Sequence, residues 1–121
     1  MTDDLSSLAT TIERLHDAGA DADRDEARAV FASFRAGLSD GRIRAATPDN
    51  TAPTGWAVNT WVKRGILVGF RYGEISSFPG SDPAIPFLDK DTLPLKPLAP
   101  SSLVRLVPGG SSIRDGAYVG P

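Results

Sequence analysis

The sequence predicts an α+β domain that leads into the first turn of a truncated left-handed parallel β-helix. Three observations predict this fold: helical periodicity of apolar residues over much of the first 72 residues, a proline-rich extended region after them, and one hexapeptide pattern near the C-terminus. The length of 121 residues and the mass of 12.8 kDa suit one small domain. We therefore expect an N-terminal α+β domain over residues 1–108 and the beginning of a hexapeptide-repeat β-helix over residues 109–121.

Two amphipathic helices are predicted at the N-terminus, over residues 4–18 and 23–40. Asp23 is a natural N-cap, Glu26 follows it at capping-box spacing, and Gly41 suits a left-handed C-cap. The short link between the two predicts an antiparallel helical hairpin. Both helices carry apolar residues at three- and four-residue steps: Leu5, Leu8, Ile12 and Leu15, then Ala27, Val30, Phe31, Phe34 and Leu38.

A small β-hairpin is predicted next. Residues 42–46 alternate between charged and apolar side chains, and residues 56–58 form a second short strand after a turn region. We expect Trp56 and Val58 to face the helices.

A third helix is predicted over residues 60–72, with Asn59 as its N-cap and Gly73 as its end. It carries too many apolar residues for one stripe, so we expect it to be nearly buried. Gly65 and Gly69 lie on one face of this helix and cost it stability, which indicates close approach of another element.

The rest of the chain reads as extended structure. Six prolines exclude a continuous helix over residues 73–102, where Ile75–Phe78 and Pro86–Leu88 are expected to pair at a sheet edge. Leu103–Val107 is predicted to be a strand. The last pattern has aliphatic side chains six residues apart and a small residue between them, as in one coil of a left-handed β-helix: Ile113, Val119 and Ala117.

Composition excludes several kinds of chemistry. The chain has no cysteine and one histidine, so disulfides, thiolate nucleophiles and histidine-cluster metal sites are excluded. His16 falls near the end of the first predicted helix, where a surface histidine interacts favourably with the helix dipole. The pI of about 5.2 and the scattered basic residues argue against a nucleic-acid partner. With an acidic N-terminus and no long apolar run, we expect a cytoplasmic protein without membrane contact.

Three charged side chains are candidates for a functional role. Asp89 and Asp91 read as a carboxylate pair or cation site, or as a turn with side chain–backbone hydrogen bonds, which the pattern favours. Arg105 lies in an apolar segment, where it is either an outward-facing surface arginine or a guanidinium that binds a substrate carboxylate at two points. Residues 42–121 carry a net charge of +3 against −5 for residues 1–41. This asymmetry indicates either solvated acidic faces on the first helices, which the pattern favours, or a second half that meets an anionic ligand. The residues alone support an anion-binding domain and nothing more specific.

Several stretches of the chain share one further property, a likeness to a known family: Trp56–Arg71, Phe87–Pro94, Val104–Pro108 and Ile113–Val119. Together they resemble the tetrahydrodipicolinate N-succinyltransferases of bacterial lysine biosynthesis. Their order is that of the N-terminal region of the family, in which a helix pair, a strand with tryptophan and a buried helix precede the β-helix. The resemblance runs from about residue 24 to the end of the chain.

The resemblance implies an acyl transfer. In this family the amine of ring-opened tetrahydrodipicolinate attacks the thioester of succinyl-CoA, and CoA leaves. It further implies a homotrimer, succinyl-CoA as co-substrate, no tightly bound cofactor or metal, and Arg105 as the residue that binds a carboxylate of the substrate. The catalytic residues of the family lie in the β-helix, so none is expected in this chain, which we expect to be inactive by itself.

A second class of function stays open at this stage. The chain is alternatively a non-catalytic domain that binds an anion or a partner. Further in-frame hexapeptides after Pro121 would favour the enzyme.

Overall fold

The N-terminal half is an antiparallel helical hairpin. The computed structural model describes residues 2–78, 84 and 86–121. Helix α1 spans Thr2–Ala18 and α2 spans Arg24–Asp40, with a 3₁₀ turn at Gly19–Asp21 between them. Both predicted helices are therefore confirmed.

The caps of α2 confirm most of the prediction. The Asp23 side chain accepts a hydrogen bond from the Glu26 amide at 2.9 Å, and Gly41 adopts a φ of 85° in the left-handed region. The second half of the capping box does not form, because the Glu26 carboxylate instead accepts from Arg14 of α1 at 2.7 Å. This pair joins the first turn of α2 to the neighbouring helix.

Helix α3, Thr60–Tyr72, packs on both helices of the hairpin. Gly65 and Gly69 lie against the rings of Phe34 and Phe31, and a Cβ at either glycine would overlap the ring. The predicted close approach is thus confirmed, and its partners are two aromatic side chains of α2. The largest fully buried side chains all belong to this three-helix core: Phe31, Phe34, Ile12, Leu15, Val62 and Val68.

The ends of α3 depart in part from the prediction. The Asn59 side chain makes no capping bond, because its Nδ2 donates to the Arg44 carbonyl at 2.8 Å. Helix α3 is not nearly buried all round either, since Leu67 is 41% exposed. Gly73 does end the helix, but with a φ of −79°, and it is a glycine because a Cβ there would meet the Thr92 hydroxyl.

The first strand of the first β-hairpin begins four residues later than predicted, and the second strand lies where it was predicted. Strand β1 spans Ala46–Pro48 and pairs antiparallel with β2, Trp56–Val58. The strand predicted over 42–46 is wrong, because Ile43 leaves the extended pattern and packs into the core against Gly37. The prediction that Trp56 and Val58 face the helices is also wrong, because the two residues are 54% and 73% exposed.

The second β-hairpin confirms the predicted pairing of the proline-rich region. Strand β3, Ile75–Phe78, pairs antiparallel with β4, Phe87–Lys90, in a register that joins Ile75 to Lys90 and Phe78 to Phe87. Residues 79–83 and 85, which belong to the predicted proline-rich connection, lie outside the described residues. As predicted, the described part of residues 73–102 contains no continuous helix; its helical structure is limited to a short 3₁₀ turn at Pro100–Ser102.

The predicted strand over Leu103–Val107 is wrong, since these residues form no strand. The predicted β-helix coil is not seen either: the segment around Ile113 makes one isolated antiparallel bridge, between Arg114 and Leu95. A strand or a solenoid coil is stabilised by the neighbour stacked beside it. Among the described residues, no segment pairs with residues 103–107, and residues 113–115 meet only the short segment 94–96. In the described part of the chain, no helix has the length and apolarity that crossing a membrane requires.

Candidate functional site

Arg105 lies on a long excursion of the chain that we call the arm, residues 97–112. Its two ends meet at a neck, where the Lys96 amide donates to the Ile113 carbonyl at 2.8 Å and the Asp115 amide donates to the Pro94 carbonyl at 2.7 Å. Arms closed in this way resemble Ω-loops, which frequently carry functional residues. Arg105 is exposed on it.

The guanidinium of Arg105 has no hydrogen bond, ion pair or ring contact with any described residue. The remaining arginines of the described chain all have partners. Seven form ion pairs with carboxylates, Arg71 donates to the His16 carbonyl, and the guanidinium of Arg44 lies 4.5 Å from the centre of the Tyr118 ring. Among the described residues, Arg105 is therefore the arginine whose guanidinium contacts neither an acceptor nor an aromatic ring, and all its donors are available to a ligand.

A group of three side chains, which we call the clamp, holds the neck on the C-terminal part of α2. Asp115 accepts from the Ser39 hydroxyl at 2.7 Å and faces the Arg35 Nε at 3.1 Å. The Ser39 oxygen also accepts from the Gly116 amide at 2.6 Å. The charged pair of the clamp is about three-quarters buried, which strengthens these contacts relative to surface ion pairs. The clamp fixes where the arm leaves the domain and where it returns.

Sequence reasoning missed the clamp. Arg35 and Ser39 are four residues apart and so share a face of α2, which the helical period shows. Their partner Asp115 lies 76 residues after Ser39, and no spacing rule connects positions so distant.

The two candidate aspartates have structural roles. Asp91 receives two hydrogen bonds from Arg28, at 2.8 Å and 3.1 Å, and one from the Glu74 amide at 3.0 Å. These contacts, with Arg28 the largest cause, lower the pKa of Asp91 from 3.8 to about 2.

Asp89 is paired in the same way. It accepts from Arg114 at 2.7 Å and from the Lys90 amide at 2.8 Å, and Arg114 is the main cause of its lowered pKa. Arginines and backbone amides occupy both carboxylates, so the structure supports the turn interpretation. No group of three or more metal-ligating side chains occurs in the described residues.

An open groove of about 1010 Å³ lies between the second hairpin and the base of the arm. Its walls are about as polar as they are apolar, and its charged side chains, Asp89 and Arg114, already neutralise each other. Arg105 is not among the lining residues. The described residues therefore do not enclose Arg105 in a pocket, and the arm presents it outward.

His16 sits where the sequence places it, near the end of α1. Its ring is partly buried, and its Nδ1 lies 3.5 Å from the Asp17 carboxylate. No serine or threonine hydroxyl of the described residues is hydrogen-bonded to this ring, so the geometry provides no nucleophile–base pair.

Comparison with known proteins identifies the family. A family model described as tetrahydrodipicolinate N-succinyltransferase N-terminal matches residues 7–72, more than half of the chain. The chain belongs to this family. A relative from Granulibacter bethesdensis, named 2,3,4,5-tetrahydropyridine-2,6-dicarboxylate N-succinyltransferase, is 31% identical over 126 aligned residues, which cover 97% of this chain and 43% of the relative. A relative of the same name from Xylella fastidiosa strain Temecula1 is 36% identical over 92 residues, which cover 69% of this chain and 30% of the relative.

The resemblance to tetrahydrodipicolinate N-succinyltransferases is thereby confirmed. The chain spans less than half the length of the curated relatives it matches. The family match ends before Arg105, whereas the alignment with the Granulibacter protein covers 97% of the chain and so includes the arm.

Proposed function

We propose that this chain is the substrate-side, N-terminal part of an enzyme that transfers succinyl from succinyl-CoA to the amine of ring-opened tetrahydrodipicolinate, in lysine (diaminopimelate) biosynthesis. Family membership and the names of the relatives support the reaction class. The observation that carries the role of this chain is the unpartnered guanidinium of Arg105, presented on a clamped arm.

In this proposal Arg105 binds a carboxylate of the amine substrate. A guanidinium is planar and offers two parallel N–H donors to the two oxygens of a carboxylate, which fixes the orientation of the ligand as well as its charge. The described residues leave Arg105 open to water, where such a pair contributes little. Other parts of the enzyme would have to enclose the pair for it to orient the substrate amine.

The acyl-transfer step itself falls outside this chain in the proposal. The amine attacks the thioester carbon, the carbon–sulfur bond breaks, and CoA leaves as the thiol. We assign none of these steps to residues 1–121, and we propose that the complete enzyme works as a cytoplasmic homotrimer with succinyl-CoA as co-substrate and no bound metal or cofactor.

A chimera tests this function. Residues 1–121 replace the matched N-terminal part of the Granulibacter relative, and release of CoA from succinyl-CoA is measured with and without the amine substrate. We expect release that depends on the amine. A folded chimera that releases CoA equally in its absence, or a chimera with Arg105→Ala that keeps full activity, would contradict the proposal.

A further inference from the structure

Asp115 is followed directly by glycine, and the chain contains one other step of this kind, Asp40–Gly41. An aspartate before glycine is open to a spontaneous rearrangement of the backbone, because glycine has no Cβ that keeps its amide nitrogen away from the preceding side chain. Gly116 has a φ of 107° and Gly41 a φ of 85°, a region that side chains disfavour. The fold therefore requires glycine at both steps and keeps the reactive sequence with it.

The rearrangement joins two neighbouring groups. The glycine nitrogen attacks Cγ of the aspartic acid side chain, the nitrogen loses its proton, and the carboxylic acid loses its hydroxyl group; the two leave together as water. A five-membered succinimide ring results. A second water opens this ring at either carbonyl. One opening restores aspartate, and the other gives isoaspartate, in which the main chain runs through Cβ and Cγ.

The Ser39 hydroxyl holds both reacting groups of Asp115–Gly116. It donates to Asp115 Oδ1 at 2.7 Å, and its oxygen accepts from the Gly116 amide at 2.6 Å. The other carboxylate oxygen, Oδ2, faces the Arg35 Nε at 3.1 Å, and the Asp115 side chain is only 21% exposed. The nitrogen that must attack therefore keeps its proton in a hydrogen bond, and both carboxylate oxygens are fixed on α2.

We propose that Asp115–Gly116 is a latent site of isoaspartate formation and that the Ser39 hydroxyl protects it. Because one hydroxyl contacts the attacking amide and the carboxylate, a single opening of the clamp frees both. The proposal rests on these contacts and is independent of the proposed function.

The Asp40–Gly41 step is held differently. The Gly41 amide donates to the Leu38 carbonyl at 3.3 Å, whereas the Asp40 carboxylate, which is 51% exposed, accepts from Arg42 at 2.7 Å. Separate groups thus hold the amide and the carboxylate, and neither contact uses the Ser39 hydroxyl. This step is an internal reference for a substitution at Ser39.

Isoaspartate at residue 115 would disturb the neck. It adds one carbon to the main chain between the Asp115 amide, which donates to the Pro94 carbonyl at 2.7 Å, and the Gly116 amide. It also moves the carboxylate from Cβ to Cα, away from its place opposite Arg35. The product no longer fits the clamp and the neck together, so the arm loses part of its attachment to α2.

Ageing of the purified 121-residue chain at neutral pH tests the proposal. Trypsin places the two steps on different peptides, since Arg42 and Arg105 both lie between them. Isoaspartate at each step is measured by chromatography against synthetic standards and by enzymatic methylation. A synthetic peptide of residues 112–118 gives the rate in the absence of the fold. We expect residue 115 to isomerise at least roughly tenfold more slowly in the folded chain than in this peptide.

Ser39→Ala removes the protecting hydroxyl. It should raise the rate at residue 115 by roughly five- to thirtyfold and leave the rate at residue 40 within about twofold. Ser33→Ala, at an exposed position of the same helix, should change neither rate. Asp115→Glu should abolish the signal at residue 115, because attack on the longer side chain would form a six-membered ring far more slowly. Thermal melts show that each variant is folded.

Two outcomes would overturn the proposal. The first is an equal rate at residue 115 in the folded wild type and in the synthetic peptide, a comparison that depends on the folding of no variant. The second is a rate at residue 115 that Ser39→Ala leaves unchanged or raises no more than the rate at residue 40. That result would assign the slow isomerisation to the rigidity of the neck as a whole and not to the Ser39 hydroxyl.

Discussion

Arg28 and Asp91 form a two-point ion pair that joins α2 to the turn after β4. The two guanidinium nitrogens lie 3.1 Å and 2.8 Å from the two carboxylate oxygens, and the same guanidinium donates to the Tyr72 carbonyl at 2.8 Å. One side chain of α2 thus holds both the end of α3 and the second hairpin. The clamp residues Arg35 and Ser39 lie seven and eleven residues further along α2, so this one helix holds the second hairpin and the neck as well as the end of α3.

The first prediction concerns the pH dependence of this pair. The pKa of Asp91 is about 2 in the folded chain against an ordinary value of 3.8, so the carboxylate stabilises the fold fully above pH 3.8 and loses that contribution as the pH falls toward about 2. Asp91→Asn should lower the melting temperature at neutral pH, and the difference from the wild type should shrink across that window. Asp4→Asn, at an exposed carboxylate with no ion pair in the described residues, is the control. A difference that stays constant down to pH 2 would contradict the assignment.

The second prediction concerns the contact between α3 and α2. Gly69→Ala adds a methyl group that overlaps the Phe31 ring, so it should lower the free energy of unfolding by about 1–3 kcal/mol even though alanine favours helix. Gly120→Ala, at a glycine with open space around it, should change little. Adding Phe31→Leu to Gly69→Ala should recover part of the loss if the overlap is its cause. Denaturant unfolding of these three variants and of Phe31→Leu alone measures this, and purely additive effects of the two substitutions would rule out the overlap.

The third prediction concerns the clamp. Ser39→Ala removes a donor to Asp115 and the acceptor of the Gly116 amide, which should cost about 1–2 kcal/mol of unfolding free energy. The exchange of the Gly116 amide should become faster in the variant. Ser33→Ala on the same helix removes an exposed hydroxyl that has no hydrogen bond in the described residues, and it should be neutral. Equal effects of the two substitutions would show that the clamp contributes nothing.

Local signals made much of the helical part predictable. Asp23 and Gly41 mark the two ends of α2, and the glycine spacing of α3 reflects two rings on the neighbouring helix. Strand β1 was harder to place, because a strand of three residues carries little periodicity and Ile43 occupies a core position instead of continuing the alternating pattern. Strands β2 and β3 lie where they were predicted. The segment Leu103–Val107 has the pattern of a strand, but a strand also needs a neighbour that no local pattern supplies.

The candidate site too was predictable from the sequence only in part. Arg105 was identifiable from a charged residue in an apolar segment and from the family resemblance, and the structure adds that its donors are free among the described residues. The clamp that presents the arm depends on a contact between Ser39 and Asp115, and only the fold brings these two residues together. Sequence therefore indicates the candidate binding residue more readily than the contacts that position it.

The fourth prediction is that the 121-residue chain alone shows no succinyl transfer. Acyl transfer requires both reactants to be held in reacting geometry, and the described residues enclose neither Arg105 nor a nucleophile–base pair. Incubation of the purified chain with succinyl-CoA and the amine substrate should release no more CoA than buffer does. Amine-dependent release by the chain alone would show that it contains a complete active site.

The last prediction concerns Arg105 in the active chimera. Arg105→Lys keeps the charge and loses the planar pair of donors, so it should raise the KM for the amine substrate and leave that for succinyl-CoA nearly unchanged. A charge-assisted hydrogen bond contributes about 1.5–3 kcal/mol, which corresponds to a loss in kcat/KM of roughly 10- to 150-fold. Arg105→Ala should lower kcat/KM at least as much.

Arg42→Lys is the matched control, because Arg42 is 60% exposed and is paired with Asp40. Its kcat/KM should stay within about twofold of the parent. Steady-state kinetics with each substrate varied in turn, with thermal melts of every variant, separate the possibilities. Equal increases in both KM values would point to a general disturbance of the arm, and unchanged kinetics would make Arg105 an ordinary surface arginine.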